Sequence, residues 1–167
     1  KLLLAYGSSV NIQDSEGLAP LMEAARVDSL ELLELLLLKG AKVETQTNNG
    51  ETALFIALQN SREGAANLLL DKGANLNIKN KNDEMALDFI INYQLLNVVE
   101  HMVEKGTQVT FTTEQQEGLL IAAVKQGHIP MTQHFLSKGV NPNLVDEDKQ
   151  IPLITLAVEA QSTEIVN

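Results

Sequence analysis

The sequence predicts an all-α fold of stacked antiparallel helix pairs joined by hairpin-like loops, and three observations predict it. Gly7, Gly40, Gly73, Gly106 and Gly139 recur every 33 residues, four times in succession. Each closes an apolar segment: LLLAYG, ELLLLKG, NLLLDKG, HMVEKG and HFLSKG. Gly17 and Gly50 keep the same period, and Pro20 and Pro152 lie 132 residues apart, four periods. A fixed period of this length marks an array in which neighbouring units bury one another's apolar faces.

The unit at residues 16–48 shows the elements in order. Pro20 suits the first turn of a helix, where its missing N–H costs nothing. Leu21, Ala24 and Ala25 are spaced three and four apart, so a short helix from about Ala19 to Val27 presents one apolar face. Asp28-Ser29 breaks it, and Ser29 is placed to cap the next helix. That second helix, Leu30 to Lys39, is dense in leucine, and Gly40 supplies the left-handed residue that ends it. The polar segment KVETQTNNGE follows, with Asn49-Gly50 as its tight-turn signal.

Composition narrows the function. The chain has 167 residues, 44% of them hydrophobic, and a net charge of −10. Such an acidic balance disfavours nonspecific binding to nucleic acid or anionic membrane, which needs clustered Lys and Arg. No cysteine is present, which excludes disulfides, thiolate metal sites and a cysteine nucleophile. The longest apolar run, Leu32 to Leu38, is interrupted by Glu34 and is far shorter than the roughly 20 residues of a membrane helix. A cytoplasmic chain with no membrane insertion is expected.

The sequence resembles an ankyrin repeat array. The resemblance is carried by Gly17-Leu18-Ala19-Pro20-Leu21 with Ala24-Ala25, and by Gly50-Glu51-Thr52-Ala53-Leu54 with Ala57. It recurs in Lys72-Gly73-Ala74-Asn75-Leu76-Asn77, in Gly127-His128 and in Pro152-Leu153. It implies an ankyrin-repeat solenoid over the whole chain: a partial repeat 1–15, complete repeats 16–48, 49–81, 82–114 and 115–147, and a partial repeat 148–167. Lys1 to Gly7 reads as the tail of a second helix, and Asn167 stops inside another. The chain is therefore expected to be a piece of a longer array.

The departures from the family pattern are specific. Its Thr-Pro-Leu-His histidine is replaced by Met22, Phe55, Asp88, Ile121 and Ile154, so apolar contacts are expected to supplant the polar network there. The last unit, IPLITLAVEAQSTEIV, is expected to carry one extra residue between its helices. Ile90-Ile91 stands where the family has Ala-Ala, and Ala65-Ala66 where bulky residues are usual. Large beside small conserves core volume, so these pairs are expected to face one another across the repeat boundary.

No nucleophile elbow, glycine-rich phosphate loop, HExxH or calcium-loop spacing is present. No catalytic, cofactor-binding or metal-binding residue and no small-molecule substrate is therefore expected. His128 is expected to serve structurally at a helix start. His101 and His134 are 33 apart, which places them on adjacent second helices about 10 Å apart. They read either as a pH switch or weak metal site, or as half-buried replacements for Leu35 and Leu68; no third ligand is apparent, which favours packing. Residues 84–167 hold 4 basic and 11 acidic side chains against 8 and 11 in residues 1–83. Asp146-Glu147-Asp148 is expected at a loop tip, with Glu114 and Glu117 on the loop before it.

The resemblance implies a protein–protein interaction module or scaffold whose partner, another protein, lies on a concave face of hairpin tips and first helices. Carried onto this sequence, that face comprises Arg26, Val27, Glu51, Gln59, Asn60, Lys81, Glu84, Asn92, Tyr93, Glu117, Lys125 and Gln126. Tyr93 and Arg26 are the expected anchors, since aromatic and Arg residues carry much of the energy at interfaces. The alternative is a targeting or spacer segment of a larger enzyme or secreted effector.

Overall fold

A computed structural model describes residues 9–107, 109–146, 148 and 150–166. The expected helix tail before Gly7 lies outside the described residues, as do Glu147 and Asn167. Among the described residues are ten helices and one two-stranded antiparallel hairpin. The helices pair as α1 (Pro20–Arg26) with α2 (Leu30–Leu38), α3 (Ala53–Gln59) with α4 (Glu63–Asp71), and α5 (Ala86–Asn92) followed by α6 (Leu96–Glu104). Then come α7 (Thr113–Lys125), α8 (Ile129–Ser137), β1 (Val145–Asp146), β2 (Ile151–Pro152), α9 (Leu153–Glu159) and α10 (Thr163–Val166). The chain divides into two compact units, one through Val98 and one from Val99.

In the first unit α1 packs on α3 and α3 on α5, while α2 packs on α4. Ala24, Ala25 and Ala57 are buried and small, which lets the first helices approach closely. Leu54, Leu58, Leu33 and Leu69 fill the layer between first and second helices. Ala65, Ala66 and Ile90 are fully buried, whereas Ile91 is only half-buried. In the second unit α7 packs on α8 and α9.

Both helix boundaries expected for the first unit hold to within a residue. Ala19 and Val27 are the caps of α1, and Lys39 is the C-cap of α2. Gly40, at φ 85°, closes α2 with a bond from its N–H to Leu37 O and one from Ala41 N–H to Leu36 O. Ser29, by contrast, makes no side-chain cap. Its neighbour Asp28 reaches into the next repeat instead, where Oδ1 accepts the Ala65 N–H at 2.8 Å.

The replaced histidines do not become uniformly apolar. Phe55 is fully buried, as expected. Asp88 Oδ2, however, accepts the Met85 N–H at 2.7 Å, and Met22 Sδ accepts the Ala19 N–H at 3.2 Å. At Met22 and Asp88 the side chain thus satisfies the N–H of the N-cap residue, with a sulfur in one repeat and a carboxylate in the other.

Each hairpin of the first unit is closed by one side-chain oxygen. Asp14 Oδ1 accepts the N–H groups of Glu16 and Leu18, both at 2.9 Å. Thr47 Oγ1 does the same for Asn49 and Glu51, and Asn80 Oδ1 for Asn82 and Glu84. Successive hairpins are tied by Asn48 N–H to Glu16 O at 2.9 Å and Lys81 N–H to Asn49 O at 2.8 Å.

Two departures break this period. Before α7 there is no hairpin tip: residues 113–118 are helical, so Glu114 and Glu117 lie on α7 and not on the loop expected for them. Thr112 caps this longer helix, its Oγ1 accepting Gln115 N–H while Gln115 Oε1 accepts Thr112 N–H. Gln116 takes the place of Gly50 and Asp83, so the left-handed residue of the turn is lost. The second departure corrects the position of the extra residue. α9 and α10 are joined as α1 and α2 are, with one left-handed residue, Gln161, in the place of Asp28. The insertion sits in the preceding hairpin, where Gln150 N–H reaches Asp146 O across four residues; Gly17 N–H reaches Asp14 O across three. Pro152 is consequently an N-cap, not a first helical residue like Pro20, and their spacing of four periods is a coincidence.

A Cβ on Gly17 would lie 2.7 Å from Asn48 N at φ +81°, whereas one on Gly40, at φ +85°, would meet nothing within 4 Å. Gly40→Ala is therefore expected to cost about 1 kcal/mol in backbone strain alone, and Gly17→Ala about 2 kcal/mol or more. Urea denaturation measures both; equal costs would show that the hairpins do not depend on their close approach.

Candidate functional site

Nine of the twelve expected surface residues lie in the first unit, at its first helices and hairpins. Arg26, Val27, Gln59, Asn60, Lys81, Asn92 and Tyr93 are exposed, while Glu51 and Glu84 are half-buried. Several are held in place. The Arg26 guanidinium donates from Nε and Nη2 to both carboxylate oxygens of Glu23, at 2.9 and 2.6 Å. That hydrogen bond and the adjacent opposite charges lower the Glu23 pKa and raise that of Arg26. Gln59 Nε2 donates to Glu51 Oε1 at 3.1 Å, and Asn80 Nδ2 to Glu84 Oε2 at 2.7 Å.

Tyr93 stands on an aromatic column. Its ring, with the residue 51% exposed, meets Phe89 edge-on at 5.7 Å, and Phe89 meets the buried Phe55 at 4.8 Å. Phe89 escaped the sequence reading, although its spacing of four residues from Tyr93 puts both on one helix face. The column spans two repeats, so the position of Tyr93 is set by core packing and little side-chain freedom remains to be lost on binding.

In the second unit the expected residues differ in availability. Gln126 is exposed and Glu117 half-buried on α7. Lys125 is committed elsewhere: its Nζ lies 3.0 Å from Asp146 Oδ2, a carboxylate oxygen on a residue only 3% exposed. The contact is an ion pair without hydrogen-bond alignment, and among the described residues no hydrogen-bond donor reaches that oxygen. Asp146 holds the hairpin position of Asp14, Thr47 and Asn80, but in a turn one residue longer. It is therefore not the exposed acidic tip expected, whereas Asp148 is exposed.

The histidines take structural places. His128 is the N-cap of α8, its Nδ1 accepting the Met131 N–H at 3.4 Å and its Nε2 lying 3.6 Å from Glu100. His101 and His134 are both half-buried. Burial, and then the charge of Lys138, push the His134 pKa below its ordinary value. Among the described residues no three His, Asp or Glu side chains come together as a metal site. No helix among them is long and apolar enough to cross a membrane.

Residues 1–80 match the family model for ankyrin repeats, as three copies. Over 99% of this chain the fold matches 86% of a chain from a solved complex, the Bd0816 predatory endopeptidase from Bdellovibrio bacteriovorus with immunity protein Bd3460. The TM-score is 0.57 and the identity 24%, a likeness of fold. No curated protein matches the chain.

Two outcomes follow from the second unit. Lys125→Met leaves the buried Asp146 carboxylate unpaired and is expected to cost about 1–2 kcal/mol, with Asp146→Asn recovering part of it in the double variant. Strict additivity in denaturant melts would show that the pair carries no coupling. For His134, the unfolded chain takes up a proton near pH 6.5 and the folded chain only at lower pH. Stability therefore falls as pH drops through about 6.5, and levels off once the folded imidazole is also protonated. His134→Leu is expected to remove this part of the slope, read as Tm between about pH 7.5 and 5.5.

Proposed function

We propose that this chain, whose residues 1–80 match the ankyrin-repeat family model, is a protein-recognition module that binds a partner protein through the first-helix face of its first unit. The observation that carries this reading is the aromatic column. An exposed Tyr93 ring is braced by Phe89 on the buried Phe55, with Asn92 and Gln94 exposed on either side of it in the chain. A rigid ring with a hydroxyl at its tip gives large contact area at low entropic cost, and such anchors dominate interface energetics.

Arg26 is the second anchor. The fork to Glu23 holds its guanidinium through Nε and Nη2, so Nη1 is the nitrogen that would meet a partner carboxylate or carbonyl. Between the anchors, Gln59, Asn60 and Asn92 offer adaptable hydrogen bonds, so the interface is polar and hydrated at its rim. Glu117 and Gln126 of the second unit extend the candidate set, while Lys125 serves stability through Asp146. The fold likeness supports the reading, since the matching chain belongs to a complex of an endopeptidase with an immunity protein. A non-enzymatic role in the cytoplasm fits a chain without cysteine or a catalytic motif.

The test is affinity capture with the wild-type chain beside a Tyr93→Ala/Arg26→Glu variant. Tyr93→Ala loses the edge contact with Phe89 and Arg26→Glu the fork with Glu23, so the variant is expected to melt a few degrees lower, and capture is compared well below both melting temperatures. A partner captured by the wild type is expected to bind the variant at least about tenfold more weakly. Equal capture by both would overturn this face as the site.

A further inference from the structure

We propose that the cavity bounded by α6, α7 and α8 in the second unit captures the C-terminus of a partner chain, taking an apolar last side chain together with its free carboxylate. This rests on the reading of the chain as a protein-recognition module and adds a second, chemically distinct contact to it. The cavity measures about 400 Å³ and lies over Met102 and Phe135, both fully buried, with Phe111 forming a wall. That floor takes an apolar or aromatic group.

Its rim has one sign of charge. Lys138 lines the cavity and, among the described residues, no acidic side chain does, in a sequence whose residues 84–167 carry 11 acidic against 4 basic side chains. His134 lines the cavity with Lys138, and burial first, then the Lys138 charge, disfavours protonation of its ring. The imidazole is thus available as a neutral hydrogen-bonding group, while Lys138 supplies the positive charge. Gln116 lines the same cavity from α7; its Nε2 donates to Phe111 O at 3.1 Å, so its Oε1 is the atom that can accept the N–H of the last residue of a bound chain.

The departure from the repeat period provides this constellation. Gln116 stands where Gly50 and Asp83 form hairpin turns in the first unit, and it lines the cavity from a helix because residues 113–118 are helical. One point charge above an apolar floor of this volume matches a single bulky residue that ends in a carboxylate. An internal peptide residue lacks the charge, and an internal Asp or Glu lacks the apolar group.

The chain has four methionines, at positions 22, 85, 102 and 131, and of these only Met102 lines the cavity. Methyl-labelled methionine NMR therefore reads occupancy directly. N-acetyl-phenylalanine is titrated beside N-acetyl-phenylalaninamide and 3-phenylpropionate, on wild type and on Lys138→Gln. The acid is expected to shift the Met102 methyl saturably, with a Kd on the order of 1 mM for a ligand of this size. The amide, and the acid on Lys138→Gln, are expected to bind roughly fivefold more weakly. 3-Phenylpropionate, which lacks the peptide group, is expected to bind more weakly than N-acetyl-phenylalanine.

Absence of a saturable Met102 shift, or equal binding of acid and amide, would overturn the proposal. Equal binding of 3-phenylpropionate would also overturn it, by making the cavity a site for free small acids. The titration needs no partner protein, so its failure leaves the Tyr93 face untouched. Loss of Tyr93-dependent capture likewise leaves this result standing.

Discussion

The fold depends on one constraint: helices of seven and nine residues are too short to persist in water, and each holds only because a neighbour covers its apolar face. The hairpins and turns exist to keep those faces in register. A single oxygen from Asp14, Thr47 or Asn80 satisfies two backbone donors and sets the angle at which the next helix begins. Asp28 extends the dependence to the neighbouring repeat by bonding the first turn of α4.

The regular part of this structure was legible because its causes are local and repeat. Glycine at Gly40 and Gly73 ends second helices, proline at Pro20 starts a first helix, and the alanine pairs mark the close approach of first helices. What was not legible came from residues that break the period without breaking a local rule. Thr112 and Gln115 form a capping box that can be read in the sequence, yet the 33-residue frame placed a loop there. The insertion was misplaced because Pro152 falls four periods after Pro20, although the two prolines serve different positions. The carboxylate of Asp88 could not be assigned from the sequence, because acidic side chains are usually solvated and this one reaches back to a backbone donor.

The candidate sites were legible to a different degree. Residue identity placed Tyr93 and Arg26 on an exposed face, but not the Phe55–Phe89 contact that holds the ring or the Glu23 fork that holds the guanidinium. Both rest on side-chain geometry. Lys125 shows the reverse. By position it belongs to the surface expected from the repeat pattern, but a carboxylate from a hairpin twenty-one residues further along the chain occupies it. A surface inherited from a repeat pattern is thus divided between groups that face outward and groups that the chain uses for itself.

The extra residue between Asp146 and Gln150 shows how such an array absorbs a change in length. One residue added within a helix would turn every later side chain by about 100° around the axis and aim the apolar stripe of α9 at solvent. At the hairpin the same residue only widens the turn, because the strands on either side remain paired at Val145 with Pro152 and Asp146 with Ile151. The angular phase of α9 is preserved, and Leu153, Leu156 and Ala157 still point inward. The tips therefore act as slack in a chain whose helices have none, so lineages of this sequence can gain or lose residues there without re-registering the core.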